Sequence, residues 1–362
     1  MKIAFLSLYT GYVSRGVETW VNDISQRLAD LGNEVFVYSG ADDGLITNYH
    51  KQVLHIKANI RLRKGESLIE QSLTWPYWEI LNFIFTFRCI YFLILNRPDI
   101  VMPSNGGSQT LIVRIAGFLF GWKTVVVAHA GLGAHEKWNL LTRSDLYIYP
   151  SRRAMGWANN LFFSKGLKLI NIPHGIDLHK FKKEKSDLKL KLQKPVYLIV
   201  ASFDPYKRVY LAVKAVSKLK KGSLLVVGGD RENGEIDILA TKLLGEGRYF
   251  KTKVKLNEIS RYYNFSDVFT LPSNIFEAFG IVYLEAMACG LPVVATDDEL
   301  RREVVGEAGI LVDPENIDEY SKALEKAATK NWGEVPRKQA EKFSWDIIAK
   351  KYEAVFQGIL KK

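Results

Sequence analysis

The stretch PSNIFEAFGIVYLEAMACGLPVVATD, residues 272–297, decides the reading of the chain. An apolar run at 268–271 precedes it and another at 292–296 closes it, so strand, turn, helix and strand are expected in succession. The turn holds Asn274 to Phe276, Glu277 precedes Phe279-Gly280, and the helix carries Glu285 into Cys289-Gly290. A glycine at 280 lets backbone approach a ligand closely, and the free N–H groups that open the helix attract a phosphate. Glu277 is expected at the mouth of that site and Glu285 one to two turns into the helix. On an ideal helix an eight-residue step turns about 80°, so both carboxylates are expected to border one groove. Carboxylates do not help bind phosphate, but beside a diphosphate they accept hydrogen bonds from sugar and ribose hydroxyls.

Outward from this stretch, strands and helices alternate. Residues 2–8 are apolar, a loop with Gly11 and Gly16 follows, and Val17, Trp20, Val21, Ile24, Leu28 and Leu31 recur at helical steps up to Gly32. Further strands are expected at 34–39, 99–102, 123–128, 145–149 and 168–172. The pattern breaks at 176–194, where KFKKEKSDLKLKLQK is dense in charge, and a linker is expected there. Strands at 196–201, 223–227, 268–271, 292–296 and 309–312 then build a second set, with an amphipathic last helix near 336–360. A βα alternation implies parallel sheets covered by helices. The expectation is an α/β chain of two doubly wound domains, 1–175 and 195–340, facing a cleft at the carboxyl ends of their strands. Residues 341–362 are expected to return to the first domain.

The size fits: 362 residues are too many for one core. Cys89 and Cys289 are too far apart in sequence for a disulfide framework and read as reduced thiols of a cytosolic protein. The opening residues are too short and too mixed an apolar run for a signal peptide and read as a first strand. The net charge of +11 is spread over both halves, with 19 basic against 13 acidic residues up to Phe181 and 31 against 26 beyond it. That field favours an anionic partner, which is a phosphorylated substrate, an anionic bilayer surface or nucleic acid, or it only solubilises. Residues 73–95 (LTWPYWEILNFIFTFRCIYFLIL) have near-membrane composition, but Pro76, Glu79 and Arg88 interrupt them. A buried core helix is expected there, ahead of an interfacial membrane contact.

Several chemistries lack their residues. Val17-Glu18 stands where a P-loop needs Lys-Ser/Thr, and no G-x-G-x-x-G follows the first strand. The six histidines have no metal-ligand spacing and no Asp-x-Asp pair occurs, so no metal is expected. There is no G-x-S-x-G elbow. No glycine-aromatic RNA-binding signature is evident, and no nucleic-acid partner is expected.

The 272–297 stretch closely resembles the E-x7-E signature of retaining glycosyltransferases of family 4, which have the two-domain GT-B fold. SRGVETWVNDISQRLADLGNEVFVYS resembles that family's glycine loop and first helix, and RPDIVMPSNG its strand before the acceptor cleft. INIPHGIDLHKF resembles the "IPNGVD" hinge with His174 in the Asn place, ASFDPYKRVYLAVKA the phosphate-binding loop, and FSWDIIAKKYEAVFQGIL the closing helix.

The resemblance implies a metal-independent transfer of a sugar from a nucleoside-diphosphate donor to an acceptor hydroxyl of a glycan; the +11 charge and the aromatic segment add a lipid-linked acceptor and a place that is cytoplasmic and at most peripheral to a membrane as expectations. It gives Glu285 the nucleotide ribose, Glu277 the donor sugar, and the backbone of Phe279, Gly280 and Ile281 the diphosphate. Lys207 falls on the phosphate-binding lysine and Gly16 on the loop that approaches the phosphates, unless Gly16 only opens a helix. His129 falls on the active-site histidine, with a hydrogen-bonded core histidine as its rival; His174 and Asp177 are hinge residues. Ser202 occupies the place of the family's arginine, with Arg208 or Arg231 as candidate substitutes, and the backbone at Lys253-Val254 is a candidate base-edge contact. The alternatives are a GT-B epimerase or glycan phosphorylase, and a sugar-nucleotide binding subunit without turnover.

Overall fold

A computed structural model describes residues 1–12, 16–57, 68–129, 131–229, 234–245 and 247–361. The chain divides into two compact units, Met1–His174 with Trp345–Lys362, and Gly175–Ser344. In the first, β1 (Lys2–Ser7), α1 (Gly16–Asp30), β2 (Glu34–Ser39), β3 (His50–Val53), α2 (Leu68–Asn96) and β4 (Ile100–Pro103) are followed by α3 (Gly107–Phe120), β5 (Lys123–Val127), α4 (Ala134–Leu141), β6 (Leu146–Tyr149), α5 (Arg152–Asn159) and β7 (Leu169–Asn171). The strands lie in the order β3-β2-β1-β4-β5-β6-β7, all parallel. Side chains alternate across this sheet. Ile3, Phe5, Val125 and Val127 face one core, and Ala4, Leu6, Val101 and Val126 face the other side.

The second unit runs β8 (Val196–Ala201), α6 (Val209–Ser217), β9 (Ser223–Gly228), α7 (Glu235–Leu244), β10 (Tyr249–Thr252), α8 (Ile259–Phe265) and β11 (Val268–Leu271), then α9 (Ile281–Ala288), β12 (Val293–Thr296), α10 (Glu299–Val305), β13 (Gly309–Val312), α11 (Ile317–Thr329) and α12 (Val335–Glu341). Its six strands are parallel in the order β10-β9-β8-β11-β12-β13. The order reverses between β8 and β11, so the loops after these two neighbouring strands lead away in opposite directions and leave a crevice at their carboxyl ends. Both sheets have the expected α/β, Rossmann-like form.

Three expectations are corrected. Residues 176–194 do not lie between the units but belong to the second. Phe181 is buried in its core, Leu190 and Leu192 pack against it, and Arg261 grips Asp187 with two hydrogen bonds of 2.8 and 2.9 Å. The helix expected at 336–360 is two helices. The break at Lys342–Ser344 is where the chain passes from the second unit to the first, and α13 (Trp345–Leu360) packs on α1. The aromatic run at 75–92 is not uniformly core. Trp78, Phe85 and Cys89 are buried, whereas Phe83, Phe87 and Tyr91 are exposed on the outer side of α2.

Trp345, Ile348, Tyr352, Phe356 and Ile359 of α13 share one core with Trp20, Val21, Ile24 and Leu28 of α1. Phe356 is wholly buried there. Phe356→Ala is expected to cost the first unit about 3–5 kcal/mol by leaving a cavity. Seven of the eight tryptophans lie in that unit, so urea unfolding followed by tryptophan fluorescence measures the loss. An unchanged midpoint would mean that α13 contributes nothing to its core.

Candidate donor site

The crevice of the second sheet is built by the loops after β8 and β11. The first carries Ser202 and Lys207 on a short turn, Pro205–Lys207, and the second carries Glu277. Lys207 Nζ donates to Glu277 Oε2 at 2.6 Å, and both side chains are largely buried. The ammonium also lies 4.8 Å from the centre of the Tyr206 ring. Burial works against the Lys207 charge, but the Glu277 carboxylate outweighs it and holds the lysine pKa above its ordinary value. The lysine is therefore a fixed cation at the end of a parallel sheet, where anionic ligands of such folds bind.

Glu277 does not share a helix with Glu285. The helix α9 begins only at Ile281, after Gly280 in the left-handed conformation (φ 78°). The helical-step estimate for the two carboxylates therefore does not apply. Each is held by a different partner, Glu277 by Lys207 and Glu285 by the buried Tyr263, whose hydroxyl donates to Glu285 Oε2 at 2.6 Å. Burial and then the Glu285 charge push the Tyr263 pKa well up, so its proton stays in that bond. Gly280 is required on two counts. Its φ disfavours a side chain, and a Cβ there would stand 2.4 Å from the Tyr283 ring. Phe279 is buried against Phe343, ring centres 6.4 Å apart, so only its backbone is available to a ligand. Ile281 is the first residue of α9.

Ser202 Oγ donates to Asp204, which closes the loop on itself. Arg208 does not stand in for the missing arginine. Its Nε donates to Pro272 O at 2.8 Å and its Nη atoms to Thr296 Oγ1 at 3.2 Å and Glu315 Oε1 at 2.9 Å, so it braces the strand ends. Arg231 lies outside the described residues. Lys253 and Val254 follow the end of β10. No cluster of three or more His, Cys, Asp or Glu suited to a metal occurs among the described residues.

Sequence reasoning missed Arg301. From the first turn of α10 this wholly buried guanidinium donates to Ser273 O at 3.0 Å and Asn274 O at 3.1 Å, reaches Ser273 Oγ, and pairs with Asp298. It fixes the turn that leads to Glu277. Its neighbour Arg302 is exposed, and the repeat Arg301-Arg302 carries no sign of which one turns inward.

In the first unit, Gly16 opens α1 with open space around it. His129 follows β5. Its ring stacks on His174 (centres 5.4 Å, planes 9° apart) and meets Trp20 edge-on at 4.6 Å. Its Nε2 is buried with no hydrogen-bond partner. Burial, and then His174, hold the His129 pKa well below normal, and burial takes His174 down to about 4. His174 ends the first unit; Asp177, in the second, accepts from the backbone N–H of His179 at 2.8 Å and Lys180 at 3.0 Å.

Residues 14–180 match the family model Glycosyltransferase Family 4, and residues 180–344 match Glycosyl transferases group 1. The chain belongs to this glycosyltransferase family. Among curated relatives, the GDP-mannose-dependent alpha-(1-6)-phosphatidylinositol monomannoside mannosyltransferase of Mycolicibacterium smegmatis is 25% identical over 243 residues, 62% of this chain and 62% of its own length. Among solved structures, sucrose-phosphate synthase from Thermosynechococcus elongatus has a TM-score of 0.80 at 19% identity and covers 99% of both chains. Anabaena Alr3699/HepE in complex with UDP has a TM-score of 0.74 at 17% identity, over 99% of this chain and 100% of that one. The fold is the GT-B fold of such enzymes.

Two outcomes test this glycosyltransferase's architecture. Arg301→Met leaves two backbone carbonyls and Asp298 without their cation, and is expected to cost the second unit about 3–5 kcal/mol in chemical unfolding. A cost near zero would show that the turn holds without it. For the histidines, a folded pKa below the unfolded value means that the unfolded chain binds more protons between pH 6.5 and about 4. Stability of the first unit should fall as pH drops through that window and be flat above it. At pH 5 His174 alone accounts for about 2 kcal/mol. His174→Asn should flatten the fall, read from urea midpoints at pH 7 and 5; equal losses in variant and wild type would refute the assignment.

Proposed function

We propose that this protein transfers a hexosyl group from a nucleoside-diphosphate sugar to a hydroxyl of a glycan or lipid-linked acceptor, with retention of anomeric configuration, in cell-surface glycan or glycoconjugate synthesis. The observation that carries the reading is the buried Lys207–Glu277 pair at the switch point of the second sheet. The phosphatidylinositol mannoside in the name of the mycobacterial relative and the UDP bound to the cyanobacterial structure support the two substrate classes. The acting location is the cytoplasm, at the inner face of a membrane.

On this reading the donor diphosphate takes the place of Glu277 beside Lys207. Its charge rises as the bond from the anomeric carbon to the phosphate oxygen breaks, and the lysine stabilises that charge. The first N–H groups of α9, reached past Gly280, add partial positive charge at the same spot. Glu277, released, accepts hydrogen bonds from the sugar, and Glu285, oriented by Tyr263, accepts them from the ribose. The acceptor oxygen bonds to the anomeric carbon on the face the phosphate leaves, and its proton passes to the leaving phosphate oxygen.

A second reading, donor binding without turnover, is favoured by Ser202, whose hydroxyl is taken by Asp204. Calorimetric titration with UDP, GDP and ADP and their sugars, on wild type and Glu285→Ala, names the donor. NMR of the product anomer follows. The expected result is one nucleotide that binds tightly and loses affinity in the variant, a retained linkage, and a drop of about 10²–10³ in kcat/KM for Lys207→Ala. An inverted product would overturn the retaining mechanism. Binding without turnover, restored by Ser202→Arg, would show that the arginine's absence disables the natural chain.

A further inference from the structure

The outer sides of α2 and α3 form an apolar face that no described residue covers. The two helices pack on the same side of the first sheet and are held to each other by Asn82, which donates to Ser108 at 3.2 Å and accepts from Gln109 at 3.3 Å. Away from the core, α2 presents Ile80, Ile84, Phe87, Tyr91 and Ile94, all exposed. Beside it α3 presents Leu111, Ile115 and Phe118. Both sets advance by alternate steps of four and three residues. A mean step of about 3.5 is the spacing of a seam whose side chains enter the holes of a facing helix. Two such seams side by side are half of a four-helix bundle. With their exposed neighbours they offer roughly 1,000 Å² of apolar surface, against the few hundred that a monomer ordinarily shows and the about 800 Å² that each partner buries in a stable dimer.

The charges around the face are already balanced within the chain. Residues 80–96 and 107–120 hold one charged side chain each, Arg88 and Arg114. Arg88 Nη1 donates to Leu54 O at 3.1 Å, and Arg114 Nη1 to Asp145 Oδ2 at 2.6 Å. Asp145 also faces Lys123 at 3.9 Å, and in the hollow at the carboxyl ends of the two helices Arg97 stands with Asp99. An anionic headgroup layer or an acidic partner therefore finds no spare cation, whereas a helix that lies on a membrane carries a strongly charged side. A second copy needs none. An apolar seam is complementary to itself across a two-fold axis, each copy filling the holes of the other.

We infer that the α2–α3 face is a homodimer interface, at which a second copy of this chain completes a four-helix layer. The dimer goes beyond the proposed function and does not depend on it.

The test is sedimentation velocity of the full chain, at low salt and in about 0.5 M NaCl. Wild type should run at twice the mass of the chain in both, because apolar burial, unlike ion pairing, is not screened. Phe87→Glu with Phe118→Glu changes side chains that are 62% and 83% exposed, and should raise the dimer Kd about tenfold or more while the far-UV circular dichroism stays unchanged. Phe87 lies midway along its seam, so Phe87→Cys should be joined to its own copy by a short bismaleimide. Wild type should not be, since Cys89 and Cys289 are buried. A wild type that is monomeric up to about 100 μM would overturn the inference, whether or not it then floats with lipid vesicles. So would a dimer that dissociates in high salt, one that the double variant leaves intact, or one in which Phe87→Cys does not cross-link, since the contact would then lie elsewhere.

Discussion

A single guanidinium without exposed surface, Arg301, braces the turn on which the candidate donor site depends. A strand in the middle of a parallel sheet must release its last carbonyls into an interior that water does not reach, and each one left unpaired costs about 1–3 kcal/mol. Past the end of β11, Arg301 Nη2 donates to the carbonyls of Ser273 and Asn274, the first of which also accepts from Thr296 Oγ1 at 2.8 Å and the second from the Glu277 N–H at 3.2 Å. Burial opposes the charge, but Tyr283 and Asp298 outweigh it and keep the arginine pKa above normal. The turn so fixed orients Ser273 Oγ against the Tyr283 hydroxyl at 3.0 Å. The Tyr283 ring then denies space to any side chain at position 280. The buried cation, the Tyr283 ring and the glycine thus meet at the turn that places Glu277 ahead of α9.

The sequence made the two sheets legible because their central strands are buried on both faces and so are written as unbroken apolar runs. IAFLS, YLIVA and LLVVG need no helix partner to be recognised. The strands it concealed are β3, HKQV, and β10, YFKT, each at the edge of its sheet. An edge strand has one neighbour and partial exposure, so its residues are mixed and charged, which also discourages pairing with a second chain. The last helices were read as one because helical periodicity runs through EKFSW. What divides them is the passage of the chain between units, marked locally only by the bridge between Ile176 and Ser344.

The site itself was legible to a different depth. Lys207, Glu277, Gly280 and Glu285 sit in a motif whose spacing reflects a strand–turn–helix, and that spacing survives in sequence. The partners that hold them do not. Tyr263 reaches Glu285 from the preceding helix, α8, and Arg301 reaches the turn from the following one, α10. Nothing in a linear pattern ties position 263 to 285, or 301 to 273, because the contact is made by packing across helices. In α2 the same limit appeared in another form. Hydropathy reports how apolar a helix is but not how many of its sides the core consumes.

The Lys207–Glu277 pair gives the candidate diphosphate site a balance of charge of its own. A lone ammonium this far from water would lose its proton or draw in solvent, and a lone carboxylate beside it would repel the donor. Paired, the two are neutral as a unit, and the lysine stays protonated because the carboxylate outweighs the cost of burial. On the proposed reading the donor exchanges with Glu277 one anion for another, so the lysine never goes without a partner and the displaced carboxylate meets sugar hydroxyls that need an acceptor. The exchange also bears on Ser202. A hydroxyl there donates to Asp204 and closes the loop on itself. On the proposed reading, the absence of a guanidinium that could bind phosphate with two hydrogen bonds leaves the electrostatic demand of the reaction to Lys207 and the first turn of α9.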